Sequence, residues 1–108
     1  MADLGCLHLE TRYLSWDAAR NNCKALGGDL FVPADEEQFI SLGNYYYQMD
    51  MLVKKWVGMF LHQWLNDRPE NEVWYPGEPN YDGDCALMRS STLEDKPCEL
   101  EYYSICQK

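Results

Sequence analysis

Basic residues are scarce in this 108-residue sequence: nine Lys and Arg stand against eighteen Asp and Glu, a net charge of −9. That balance argues against binding nucleic-acid backbones or anionic membranes, which needs broad basic surfaces. It suits cations or neutral ligands. Apolar runs are short, far below the ~20 residues of a membrane span. No basic segment followed by an apolar stretch opens the chain, so no signal peptide is expected in it. A secreted form would be one from which the signal had been removed. Histidine is limited to His8 and His62, too few for a Cys/His zinc site, and no C-x-x-C occurs. Also absent are G-x-S-x-G, H-E-x-x-H, a Gly-rich phosphate loop and an EF-hand run, so catalysis finds little support. Repeats, low-complexity tracts and linkers are lacking as well, which leaves a single domain over residues 1–108.

What the sequence does have is aromatic and sulfur chemistry. Hydrophobic residues make up 46% of the chain, with four Trp and eight Tyr, enough to build a core. Trp16, Trp56, Trp64 and Trp74 are read as core, Trp74 lying closest to the Pro/Gly loop. Five cysteines (Cys6, Cys23, Cys85, Cys98 and Cys106) in so short a chain point to two disulfides and one leftover thiol in a secreted or lumenal protein. Composition alone does not choose the pairing.

Residues 15–26 read as a helix with Ser15 as N-cap, Asp17 in the first turn, and Trp16, Ala19, Cys23 and Leu26 on one face. Gly27 and Gly28 end it. Residues 35–47 read as a second helix, with Asp35 and Gln38 at capping-box spacing and Phe39, Leu42 and Tyr46 as its buried stripe. Tyr45, Tyr46 and Tyr47 then divide between core and surface at the end of that helix. Residues 56–61 read as a buried strand, and Cys85–Met88 and Tyr103–Gln107 as short closing strands. Two helices followed by strands suggest an α+β domain.

Between Asn66 and Gly83 lies a polar stretch rich in Asn, Asp, Glu, Gly and Pro, long enough to suggest function. Glu78, Asn80, Asp82, Asp84, Glu94 and Asp95 cluster there and just beyond. Carboxylates and Asn carbonyls on a loop are the donors that calcium takes, about six to eight oxygens at a time. Pro79 restricts its own φ and its predecessor, fixing Glu78 and Asn80 relative to one another. Spacing alone favours a solvated acidic loop with a Pro-centred turn over a calcium site. Glu78 with Asp95 as a glycosidase acid/base pair is conceivable, but nothing in the sequence specifies it.

One ordered set of segments goes further: Trp16, Ala19 and Cys23; Gly27-Gly28-Asp29-Leu30; Trp56-Val57-Gly58-Met59; Trp74-Tyr75-Pro76-Gly77-Glu78-Pro79-Asn80; Asp84-Cys85-Ala86; Cys98; and Tyr103-Ser104-Ile105-Cys106. This set resembles a C-type lectin-like domain over essentially the whole chain. The resemblance implies the C-type lectin fold, with two helices, small antiparallel sheets and a long calcium- and sugar-binding loop. It implies disulfides Cys23–Cys106 and Cys85–Cys98. Cys6 is similar to the second cysteine of an N-terminal hairpin whose partner is absent here. That leaves truncation, a free thiol or an interchain bridge, the last a route to a dimer or higher oligomer.

The same resemblance implies a site. Glu78-Pro79-Asn80 matches the family's mannose-type tripeptide, with a cis Glu78–Pro79 bond. Leu93-Glu94-Asp95 stands where the family has Trp-Asn-Asp. Asp95 carries over as a ligand, Glu94 replaces Asn with an extra charge and a longer arm, and Leu93 replaces the bulky Trp. A further acidic ligand is Asp82, favoured over Asp84. Calcium and sugar ligands are thus Glu78, Asn80, Asp82, Glu94 and Asp95, around one Ca2+. Vicinal equatorial hydroxyls, as in mannose, complete its shell. An ionised Glu94 accepts but does not donate, a change that would weaken binding by about 1 kcal/mol or shift selectivity. The implied protein is secreted and recognises mannose-type glycans, as in pathogen recognition and innate immunity. The alternative is a calcium-independent C-type lectin-like protein-interaction domain, or one that binds lipid or ice.

Overall fold

The computed structural model describes residues 7–48, 53–61, 63–66, 74–78 and 83–108. Its elements run β1 (Leu7–Leu14), α1 (Trp16–Ala25), β2 (Asp29–Leu30), α2 (Glu36–Gln48), β3 (Lys55–Phe60), β4 (Gln63–Trp64), β5 (Cys85–Arg89), β6 (Thr92–Lys96) and β7 (Tyr102–Gln107). Both helices start where their caps put them. The Ala18 N–H donates to Ser15 Oγ at 3.3 Å, and the Gln38 N–H to Asp35 Oδ1 at 2.8 Å. Gln38 reciprocates by accepting the Ala34 N–H at 2.7 Å, one residue before the cap. At the far end of α1 the Gly28 N–H bonds Cys23 O and the Gly27 N–H bonds Lys24 O, both at 3.0 Å. With Gly27 at φ +92°, this is a Schellman closure.

The strands form one connected sheet of order β1-β7-β3-β5-β6, with β2 also on β7 and β4 on β3. β3 and β7 run parallel, and the other pairs are antiparallel. The sequence reading lacks β1, β2, β4 and β6, the last because its buried Glu94 and Asp95 read as a polar run. β1 is mostly exposed and alternates weakly, while β2 and β4 have two residues each. Periodicity has little to act on in such strands. The first described element is therefore a strand, not a helix.

Two buried clusters hold the sheet. Phe31, Phe39, Leu42, Val57, Met59, Trp64, Met88, Leu93 and Ile105 belong to the first. Trp16, Ala19, Leu30, Trp56 and Leu87 surround both half-cystines Cys23 and Cys106 in the second. Trp16 Nε1 donates to Val57 O and Trp56 Nε1 to Leu14 O, each at 2.9 Å, so neither indole N–H is buried unpaired. Trp74 is half-buried against the first cluster. Tyr46 is buried while Tyr45 and Tyr47 are exposed. Two expectations are corrected. Leu26 is 48% exposed, because the chain leaves the helix there. Leu61 lies past the end of β3 at φ +53° and is exposed.

Disulfides join Cys23 to Cys106 and Cys85 to Cys98. Their sequence separations, 83 and 13 residues, correspond to about 4–5 and about 3 kcal/mol of loop-closure entropy removed from the unfolded chain. Cys6 and His62 lie outside the described residues.

A polar network ties β1 to α1. Buried Glu10 accepts from Arg12 Nε at 2.9 Å, the Arg12 N–H at 3.1 Å and Asn22 Nδ2 at 3.1 Å. Hydrogen bonding from Arg12 holds the Glu10 carboxyl down at about 2. A carboxyl with a depressed native pKa contributes stability above its ordinary value of 4.5 and loses it as pH falls toward 2. Glu10→Gln should therefore flatten the fall in melting temperature across that window, read from melts at pH 2–5. At neutral pH the same variant should lose about 1–2 kcal/mol.

Candidate functional site

β5 and β6 form a hairpin with Cys85 opposite Lys96, Ala86 opposite Asp95, Leu87 opposite Glu94, and Met88 opposite Leu93. Successive strand residues point to opposite faces. Leu93 joins Ala86 and Met88 in the first cluster, and Asp95, two residues on, lies on that face. Glu94 shares its face with Leu87 of the second cluster. Leu93 is fully buried, and Asp95 and Glu94 are 1% and 3% exposed.

The polar loop returns to this hairpin at one defined place. Trp74 bridges Leu93 in parallel, and the Tyr75 N–H donates to Leu93 O at 2.9 Å. The next residues close a turn, with the Glu78 N–H donating to Tyr75 O at 2.8 Å. Pro76 at the second position and Gly77 at the third, φ +89°, are the residues a type II turn requires. Glu78, half-buried, is thus carried on a turn anchored two residues before Asp95. On the other side of the hairpin, Gly83 lies so close to the Lys96 carbonyl and Pro97 nitrogen that a Cβ would collide with them. The Leu61 N–H donates to Asp84 O at 2.7 Å, fixing the backbone before Cys85, and the Asp84 side chain is exposed.

Glu78, Glu94 and Asp95 are therefore placed by the β6 edge. Asn80, Asp82 and the Glu78–Pro79 bond lie outside the described residues. Among the described residues, no three His, Cys, Asp or Glu side chains converge on a metal position.

Glu94 has surroundings that sequence reasoning missed. Lys54 Nζ lies 3.3 Å from its Oε2, Arg89 Nη1 3.8 Å from Oε2, and Lys96 Nζ 4.0 Å from Oε1. Arg89 also lies on Tyr75, its Cζ 4.1 Å from the ring centroid. Lys54 stands just before β3, and its neighbour Lys55 takes a different course. Lys55 is 2% exposed, with Nζ 4.4 Å over the Tyr46 ring and donating to Val53 O at 2.6 Å. Burial pulls its ammonium down to about 8. The signal for the Glu94 group was present as charges at alternate strand positions, Glu94 and Lys96. It becomes readable only once Lys54 and Arg89 are known to face them.

This framework defines a class: a helix-flanked sheet clipped by two disulfides, carrying a long loop docked on its last hairpin. The family model "Lectin C-type domain" matches residues 12–108. The chain belongs to the C-type lectin domain family, a family of binding domains and not of enzymes. A curated relative, "C-type lectin domain family 4 member M" of Hylobates lar, is 28% identical over 95% of this chain. The chain spans only 28% of that relative's length. Among solved structures, the cow C-type carbohydrate-recognition domain of CD23, crystallised with a GlcNAc2Man3 oligosaccharide, superposes with TM-score 0.78 at 24% identity. That match covers 94% of this chain and 84% of the other. A calcium-independent type II antifreeze protein superposes with TM-score 0.76 at 24% identity, covering 94% and 83%.

Because a Cβ at Gly77 would meet nothing within 4 Å, Gly77→Ala tests backbone conformation alone. It should cost about 1 kcal/mol of stability through strain at positive φ, measured by denaturant unfolding. If glycan affinity falls by more than stability explains, the turn is what presents Glu78.

Proposed function

We propose that this domain binds glycans through calcium at the Glu78-Pro79-Asn80 loop, with a preference for the vicinal equatorial hydroxyls of mannose-type sugars. The observation that carries this reading is the docking of the Tyr75–Glu78 turn on Leu93, which brings the loop to the strand that holds Asp95. The donor chemistry fits a hard cation: Glu78, Asn80, Asp82 and Asp95 offer carboxylate and amide oxygens. Glu94 fits that role least, since its carboxylate already faces Lys54, Arg89 and Lys96. The proposed set is therefore Glu78, Asn80, Asp82 and Asp95. Held by these residues, calcium would supply a Lewis-acidic centre that adjacent sugar hydroxyls could complete. Glu78 and Asn80 would also hydrogen-bond those hydroxyls, Asn80 donating and Glu78 accepting, and so fix which pair of hydroxyls fits. Leu93 and Trp74 pack beneath the turn and hold it on the sheet. Two disulfides suit an oxidising, extracellular setting, and among the described residues no helix is long and apolar enough to cross a membrane. Recognition of microbial or self glycans is the role this reading supports.

The cations around Glu94 favour a second reading: a domain of the same fold that works without calcium, like the calcium-independent antifreeze protein. Thermal melts separate the two. Calcium at about 100 times its dissociation constant should add about 2.7 kcal/mol of stability. EDTA should remove it, and mannose but not galactose should raise the midpoint further. No response to calcium selects the second reading. With calcium bound, the double change Glu78→Gln and Asn80→Asp should shift preference toward galactose in a competition assay. Unchanged selectivity would count against the assigned pair.

A further inference from the structure

The chain carries a net charge of −9, yet three of its nine Lys and Arg residues converge on one point. Lys54, Arg89 and Lys96 surround the Glu94 carboxylate, so among the described residues these four groups together carry a surplus of two positive charges. The carboxylate is sealed off, with its side chain 4% exposed, while the cationic side chains are 31%, 41% and 22% exposed. Solvent therefore meets donors and no acceptor from this group. Glu94 does not use those donors up. Arg89 and Lys96 stand 3.8 and 4.0 Å away, at Coulombic rather than hydrogen-bonding distance. Stacking on Tyr75 steadies the Arg89 guanidinium, with its N–H edges available to fork onto a planar or tetrahedral oxyanion.

We propose that Lys54, Arg89 and Lys96 form an anion subsite that takes a sulfate or carboxylate group of an acidic glycan. This rests on the reading of the domain as a glycan binder, but not on calcium. Glu94 lies among the three bases on one face of β6, opposite the face that carries Asp95, and its charge competes with an incoming anion for them. The acidic group would then be read from a different side of β6 than the vicinal hydroxyls. An acidic glycan able to span both would gain from the two contacts together.

The test is an NMR titration of the full chain, in calcium and again in EDTA, with three oligosaccharides. These are sulfated chondroitin, unsulfated chondroitin (carboxylates only) and neutral dextran. Both acidic probes, or the sulfated one alone, should shift the amides of residues 54, 89 and 94–96, and the difference between them identifies the anion read. Binding should weaken with added salt. Lys54→Gln and Arg89→Gln should each weaken it by about five- to tenfold, and Lys54→Gln, which does not touch the turn, should leave neutral mannose binding unchanged. Glu94→Gln should tighten it by about the same factor, because the competing charge is gone. That opposite sign separates a binding role from loss of fold, which weakens every variant alike. Equal shifts with dextran, shifts mapping elsewhere, or weaker binding by Glu94→Gln would overturn the proposal. Acidic binding in EDTA without any mannose response would sink the calcium reading and leave the subsite standing.

Discussion

The last strand is the constraint on which the rest depends. β1 pairs with β7 at Leu7–Gln107 through Leu14–Tyr102, β2 pairs with its final residues, and β3 runs parallel to it at Tyr103 and Ser104. Cys106 on the same strand is bonded to α1 through Cys23. Until β7 is in place, β3 lacks one neighbour and α1 lacks a large part of what its buried face packs against. Contacts of that sequence separation cost loop entropy before they return stability. The hairpin that organises the loop, β5–β6, is by contrast local in its own pairing, closed by a short turn and the Cys85–Cys98 bridge, although its inward side chains pack in both clusters.

That division explains what was legible in the sequence. Helix ends were, because caps act over three or four residues: Ser15, Asp35, Gln38 and the Gly27-Gly28 pair behave as their chemistry requires. The buried stripes Trp16–Ala19–Cys23 and Phe39–Leu42–Tyr46 followed from period alone, and Leu26 failed because the stripe was extended past the last helical turn. The disulfide pairing came from family resemblance, and the covalent pairs are the implied ones. β1, β2, β4 and β6 were not legible: the first three are each defined by a distant partner more than by their own pattern, and β6 buries the charged pair Glu94 and Asp95, which reads as a polar run. Glu94 is the sharpest case. As an isolated letter it is a longer, charged replacement for Asn. In the fold it is a buried anion whose environment is set by residues forty positions earlier and five positions before it.

The two faces of β6 thus carry different electrostatics on adjacent residues. Asp95 lies on the face that leads into the first cluster, two residues after the strand position on which the turn docks. Glu94 is on the other, and its charge is more than balanced by its neighbours. A net charge read from composition averages over both and describes neither. Local electrostatics follow from the local arrangement, and here a strand's two-residue period is enough to set the Asp95 carboxyl back to back with the cation-rimmed Glu94.

The Cys23–Cys106 bridge also has a mechanical meaning. Leu7 lies opposite Gln107, so the two ends of the described chain meet side by side at one edge of the sheet. Tension applied across them peels β1 from β7 one hydrogen-bonded pair at a time. A bond that holds Cys106 to α1 lies in the path of that load almost at once. From there the force runs through the sulfur atoms and not through the chain between them. The loop, the hairpin and the Lys54–Arg89–Lys96 group all lie within that shielded span, and they would keep their shape under a pull that had already opened the edge.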